Sequence, residues 1–130
     1  MFVDTSGLYC FFDESDQRNR KAVDLIQTTS TRITTSYVLA EFIPLCYSRN
    51  LDKKKTLEFT STLLTNPLIE IIWVDENLHR EAFALLQKRP DKTYSLCDAV
   101  SFIVMRETGI AEALTTDKHF EQEGLIRLLK

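Results

Sequence analysis

Met1-Phe2-Val3-Asp4-Thr5-Ser6-Gly7 opens the chain with a short apolar run that stops abruptly at an acid followed by two hydroxyls. In open α/β sheets, ligands gather beyond the carboxyl ends of the strands. Reading residues 1–3 as a strand therefore puts the Asp4 carboxylate at the edge where such sheets do their chemistry. The fold follows if the rest of the chain alternates strands with helices.

The pattern downstream alternates in this way. Residues 7–12 are a short aromatic-rich piece, and Asp16 is placed to cap a helix running through Val23, Leu25 and Ile26 to about residue 27. Arg32-Ile33-Thr34-Thr35 is a short β-prone run, and Ser36 is expected to cap a helix over 37–49 that Asn50 ends. Another helix is predicted over 52–64, stopped by Asn66-Pro67. The strongest strand signal is Leu68-Ile69-Glu70-Ile71-Ile72-Trp73-Val74, an almost continuous β-branched run of the kind buried on both faces of a parallel sheet. Asp75 caps the next helix, whose Leu78, Ala82, Leu85 and Leu86 share a stripe. Residues 88–94 are the one long loop. Ser95 then starts an apolar helix to residue 108, which Gly109 stops. A fourth strand over 110–116 ends at Asp117, and residues 125–129 read as an edge strand. Together these predict one domain, residues 1–130, built as a three-layer α/β/α sandwich on a parallel, about five-stranded sheet.

Composition narrows the function classes. A chain of 130 residues that is 44% hydrophobic and 27% charged is globular, not a disordered tail. No apolar stretch nears the roughly 20 residues that span a bilayer, and no basic region precedes the opening apolar run. Neither a membrane span nor a signal peptide is expected, and the expected compartment is the cytoplasm. Cys10, Cys46 and Cys97 are odd in number and widely spaced, against both a disulfide framework and a structural zinc site. A formal charge of −3 excludes binding of nucleic acid by a large positive field. If the partner is a polyanion, local cations or a bound metal must hold it.

Four acids fit a purely structural account poorly. Asp4 and Asp117 each follow an apolar strand, so a parallel sheet projects both from one edge, although either alone could simply cap the helix after it. Glu41 lies within Val38-Leu39-Ala40-Glu41-Phe42-Ile43, which predicts a buried carboxylate needing a basic partner or a cation, since burying one unpaired costs several kcal/mol. Pro44 removes the bond to the Ala40 carbonyl and is expected to bend the helix just past the acid. Ser95-Leu96-Cys97-Asp98 has capping-box spacing, but aspartate is shorter than the usual glutamate, so its carboxylate is expected to stay free and face outward. If the four converge, their repulsion requires something positive between them. With no histidine or cysteine in the set, the ligands would all be oxygen, which suits Mg²⁺ or Mn²⁺ and the metal-assisted hydrolysis of a phosphodiester.

These residues match a family pattern. Strand-terminal Asp4-Thr5-Ser6, Glu41 in the helix after the second strand, Ser95-Leu96-x-Asp98-Ala99, and Leu114-Thr115-x-Asp117-x-His119-Phe120 together resemble the PIN-domain ribonucleases, most of all the VapC toxins of prokaryotic toxin–antitoxin pairs. The resemblance runs from about residue 2 to residue 128. It implies a Mg²⁺- or Mn²⁺-dependent endoribonuclease with Asp4, Glu41, Asp98 and Asp117 as catalytic metal ligands, and Thr5, Ser6 and Thr115 orienting carboxylates or waters. It also implies an RNA substrate (tRNA, rRNA or mRNA), a small antitoxin partner and a homodimer. His119 reads as a structural neighbour of the last acid and not as a general base.

Candidates for phosphate contact are Lys118, Arg89 and Lys92, with Lys88, Arg49 and Lys53-Lys54-Lys55 also available. Leu8, Tyr9, Phe11 and Phe12 are too aromatic for a free surface, so they serve either the core or a partner contact. Two further readings stay open within the same family: a nuclease of RNA maturation or decay, and a non-catalytic binding domain. An aspartyl-phosphate phosphotransfer domain is disfavoured, because no D-x-D pair stands at Asp4.

Overall fold

Asp4 follows a two-residue strand that lies at the centre of the sheet. In the computed structural model, which describes residues 1–130, β1 (Phe2–Val3) is flanked by β2 (Ile33–Thr35) and β4 (Glu112–Leu114). β3 (Glu70–Ile72) and β5 (Ile126–Arg127) form the edges, giving the order β3-β2-β1-β4-β5 with every pair parallel. Seven helices cover this sheet: α1 (Thr5–Phe12), α2 (Asn19–Thr28), α3 (Ser36–Ser48), α4 (Lys53–Thr65), α5 (Glu76–Gln87), α6 (Leu96–Thr108) and α7 (His119–Gln122). The three-layer parallel fold expected from the sequence is the fold observed.

Central placement explains why Phe2 and Val3 are fully buried. Val3 registers against Leu114, so the chain leaves β1 and β4 at the same level, and the residues that follow each strand meet. The meeting is close. A Cβ on Gly7, in the first turns of α1, would lie 1.9 Å from the Leu114 carbonyl oxygen.

Several local readings change. The aromatic piece at 7–12 is helix α1. Its Leu8 and Tyr9 are buried, while Phe11 packs on Phe59 and Phe12 on Phe42 and Phe59, so these side chains build core. Asp16 does not cap α2. It accepts from the Arg18 backbone in a turn that precedes the helix, and Arg18 holds the capping position. Thr35, not Ser36, caps α3 by accepting from Val38 N, which frees the Ser36 hydroxyl to accept from Val74 N across the sheet.

The strand read as the best in the sequence is only three residues long and lies at an edge, with Leu68 and Trp73 each 67% exposed. Apolar continuity cannot distinguish a strand covered on both faces from one open at its side. α3 runs on through Pro44 to Ser48 as one helix. No helix is long and apolar enough to cross a membrane, and the three cysteines are free and buried.

Candidate active site

All four acids line one groove of about 460 Å³ at the carboxyl edge of the sheet, together with Thr5, Ser6 and Pro44. Each is set there by a different element. Asp4 leaves β1 and is the residue from which α1 starts, but its side chain caps nothing. It is 4% exposed, and its Oδ2 accepts from Thr115 Oγ1 at 2.8 Å. Because the single Thr115 hydroxyl proton points to Asp4, Thr115 Oγ1 must accept from the Ser6 hydroxyl at 3.1 Å, and it also accepts from Asp117 N at 3.0 Å. Thr116 N donates to Ser6 Oγ in turn. The two hydroxyls thus form a directed relay that ends on Asp4 and ties the end of β1 to the end of β4.

Glu41 corrects the expectation of burial. It lies on the exposed side of α3, while Val38, Leu39, Phe42 and Cys46 carry the buried side. An apolar sequence neighbourhood is no guide here, because helical neighbours point in different directions. Glu41 overhangs the groove and accepts from Thr5 Oγ1 at 2.9 Å. Asp98 also departs from its reading, since the capping box is complete: Ser95 Oγ accepts from Asp98 N, and Asp98 Oδ2 accepts from Ser95 N at 3.1 Å. Asp117 Oδ1 accepts from His119 N. In each of the four acids one oxygen is thus engaged by the protein's own hydroxyl or amide groups, and the other is left without a side-chain hydrogen bond.

The sequence reading kept histidine out of the ligand set and beside the last acid; the structure sets it against Asp98 as well. His119 Nδ1 lies 3.0 Å from Asp98 Oδ2 and 3.5 Å from Asp117 Oδ2, and ligand atoms of these three residues fall within 4.8 Å of one another. A carboxylate can only accept, so Nδ1 carries the proton. The signal was the i, i+2 spacing to Asp117 in a turn entering a helix, which bends the two side chains together.

No lysine or arginine pairs with any of the four acids, although both occur in ion pairs elsewhere in the chain. Burial, assisted by the nearby Asp98 and Asp117 charges, pushes the Asp4 carboxyl up to about 7 against the pull of Thr115. Such a group folds best with its proton on. Its folded pKa exceeds the unfolded 3.8, so the native state binds the extra proton between the two values and loses stability as pH rises through them. Melting of the metal-free protein should therefore fall between pH 5 and 7, with Asp4 costing at most about 4 kcal/mol across its full window. Asp13, Glu121 and Glu123, all held low, act only below about pH 4.5. The half-buried Met1 amino group, lowered by desolvation from 8.0, acts with opposite sign closer to pH 8. Denaturant titrations at pH 5, 6 and 7 with chelator check this, and a flat profile would contradict it.

The proposed phosphate contacts divide. Lys118 is exposed beside Asp117 and forms no ion pair. Lys92 pairs with Asp91 at 3.6 Å. Arg89 is bound through two nitrogens to Glu123 and is part of the framework, which removes it as a free cation.

Residues 1–124 match the family model of the PIN domain. The chain is 30% identical over 129 residues to the 23S rRNA-specific endonuclease VapC20 of two Mycobacterium tuberculosis strains, covering 98% of this chain and 97% of that protein. The crystal structure of Mycobacterium tuberculosis VapC20, described as a sarcin–ricin loop cleaving toxin, is similar with a TM-score of 0.89. Identity there is 26%, over 99% of this chain and 98% of that one.

Proposed function

We propose, from the premise that this chain belongs to the PIN-domain family, that its four-acid groove hydrolyses RNA phosphodiester bonds with a divalent cation. PIN nucleases use such cations, and the site here fits one. The carrying observation is Asp4, a carboxylate 4% exposed, surrounded by acids and met by no cation of the protein. The donor set is carboxylate oxygen, with the one imidazole nitrogen turned toward those oxygens as a donor, which favours Mg²⁺ or Mn²⁺ over zinc.

Asp4, Glu41, Asp98 and Asp117 would hold the ion through their free oxygens. When bound, it supplies charge neutralisation at the phosphodiester and acidifies water. Thr115 and Thr5 hold Asp4 and Glu41 by donating to one oxygen each, and Ser6 holds Thr115. Lys118, exposed and next in sequence to Asp117, would meet backbone phosphate.

RNA as substrate, and ribosomal RNA first, rests on the likeness to a protein named for cutting 23S rRNA. By the same likeness we read the chain as a cytoplasmic toxin, a homodimer neutralised by a small antitoxin.

The test is cleavage of a sarcin–ricin loop RNA by purified protein. Cutting is expected with Mg²⁺ or Mn²⁺, and none with chelator or with Glu41→Gln. Cleavage that survives either condition would refute the mechanism.

A further inference from the structure

Glu123 lies between α7 and β5, outside the groove, with its side chain 5% exposed. Three side chains from two elements donate to it. Arg89 reaches it from the loop before α6 at 3.2 and 3.3 Å, Arg106 from the last turn of α6 at 2.7 Å, and Tyr94 Oη from the loop at 3.0 Å. Burial alone would raise this carboxyl, yet the bonds from Arg89, Arg106 and Tyr94 hold it below the usual range. It is a fixed anion, and nothing in the reaction uses it.

Its reach into the site runs through Tyr94. Clamped at its hydroxyl, the Tyr94 ring packs edge-on against Phe102 on one side and against His119 on the other, with ring centroids 5.0 and 5.1 Å apart. His119 in turn places Nδ1 between the Asp98 and Asp117 carboxylates. The imidazole has no other hydrogen-bond partner, so its aim depends on the ring behind it. Like charges that close would otherwise turn apart, and the Nδ1–H, bonded to Asp98 Oδ2 and 3.5 Å from Asp117 Oδ2, stands between them.

We propose that Glu123 and Tyr94 are positioning residues for His119, and that this chain of contacts sets the spacing of the Asp98 and Asp117 carboxylates and hence the affinity of the site for its divalent cation. The inference rests on the metal-site reading above.

The test is direct Mn²⁺ binding, followed by electron paramagnetic resonance without RNA, alongside cleavage at saturating Mn²⁺. Tyr94→Phe keeps the ring and loses the clamp. It is expected to weaken Mn²⁺ binding about 10-fold while cleavage at saturation stays within about 2-fold. Glu123→Gln should weaken binding in the same direction. His119→Asn is expected to bind as wild type, because its amide nitrogen occupies the Nδ1 position and can donate, whereas His119→Leu should lose about 10-fold.

Wild-type Mn²⁺ affinity in both Tyr94→Phe and His119→Leu overturns this inference alone. A wild-type protein that binds no Mn²⁺ overturns it together with the site reading. If Tyr94→Phe fails to fold by circular dichroism, the contrast between His119→Asn and His119→Leu decides, and equal affinities there overturn the proposal.

Discussion

Replacing Asp4 by asparagine is expected to abolish cleavage, by about 10³-fold or more, and at the same time to raise the melting temperature of the metal-free protein. The two effects have one cause. Asp4 is held in a dry position where its charge is disfavoured, with its pKa pushed to about 7 by burial and by Asp98 and Asp117. Asparagine keeps the shape and still accepts from Thr115 through its amide oxygen, but it carries no charge. At pH 8 the relief should be about 2 kcal/mol or more, which for a chain of this size is a rise on the order of 5–10 °C. Added Mn²⁺ should reverse the order, stabilising wild type by mass action and leaving Asp4→Asn unmoved. Thermal scans of both proteins with chelator and with Mn²⁺ give four numbers that must cross. A variant less stable than wild type in chelator would show that Asp4 is a structural asset and not a strained ligand.

Gly7→Ala is expected to destabilise the fold by about 3 kcal/mol or more, among the largest effects of any single methyl group in this chain. The added Cβ would lie 1.9 Å from the Leu114 carbonyl oxygen and 2.6 Å from its carbon, and both are backbone atoms that cannot rotate aside. Relief requires α1 to withdraw from β4. Asp4, Thr5 and Ser6 lie in the same turn, so withdrawal would also break the Asp4–Thr115 and Ser6–Thr115 bonds. Gly109→Ala serves as a control, because that glycine has open space around it and carries only the cost of its positive φ at the end of α6. Urea unfolding of the two variants, with a loss below about 1 kcal/mol for Gly7→Ala, would remove close approach as the reason for this glycine.

How much of this was legible depended on which physical signal each residue carried. Asp4 and Asp117 could be placed because a strand end is written in the sequence as an apolar run that stops, and in a parallel sheet all such ends face one way. Asp98 was located but misread. Its capping geometry is a matter of a few tenths of an ångström, and the backbone closes the gap that a shorter side chain leaves. Glu41 was chosen for burial that it does not have. Its place beside Thr5 comes from how α3 lies against α1, which is a packing relation and not a local pattern. Arg89 looked like a free cation because its acceptor, Glu123, stands 34 positions further along the chain. His119 likewise needed the fold, since its nearer carboxylate, Asp98, belongs to α6. Strand ends, helix stops and the caps at Asp75 and Ser95 were local and could be read; pairings between distant elements could not.

The central strand of this sheet comes first in chain order, and one of its two neighbours, β4, is the fourth of the five. The bond from Thr115 to Asp4 joins residues 111 positions apart, and Leu129 N donates to the Thr115 carbonyl that lies behind it. The chain through α6 therefore carries Asp4, Glu41 and Asp98 but neither β4 with the Thr115 that holds Asp4 nor the Asp117 that finishes the groove. The groove is complete only once β4 and Asp117 have joined the three earlier acids.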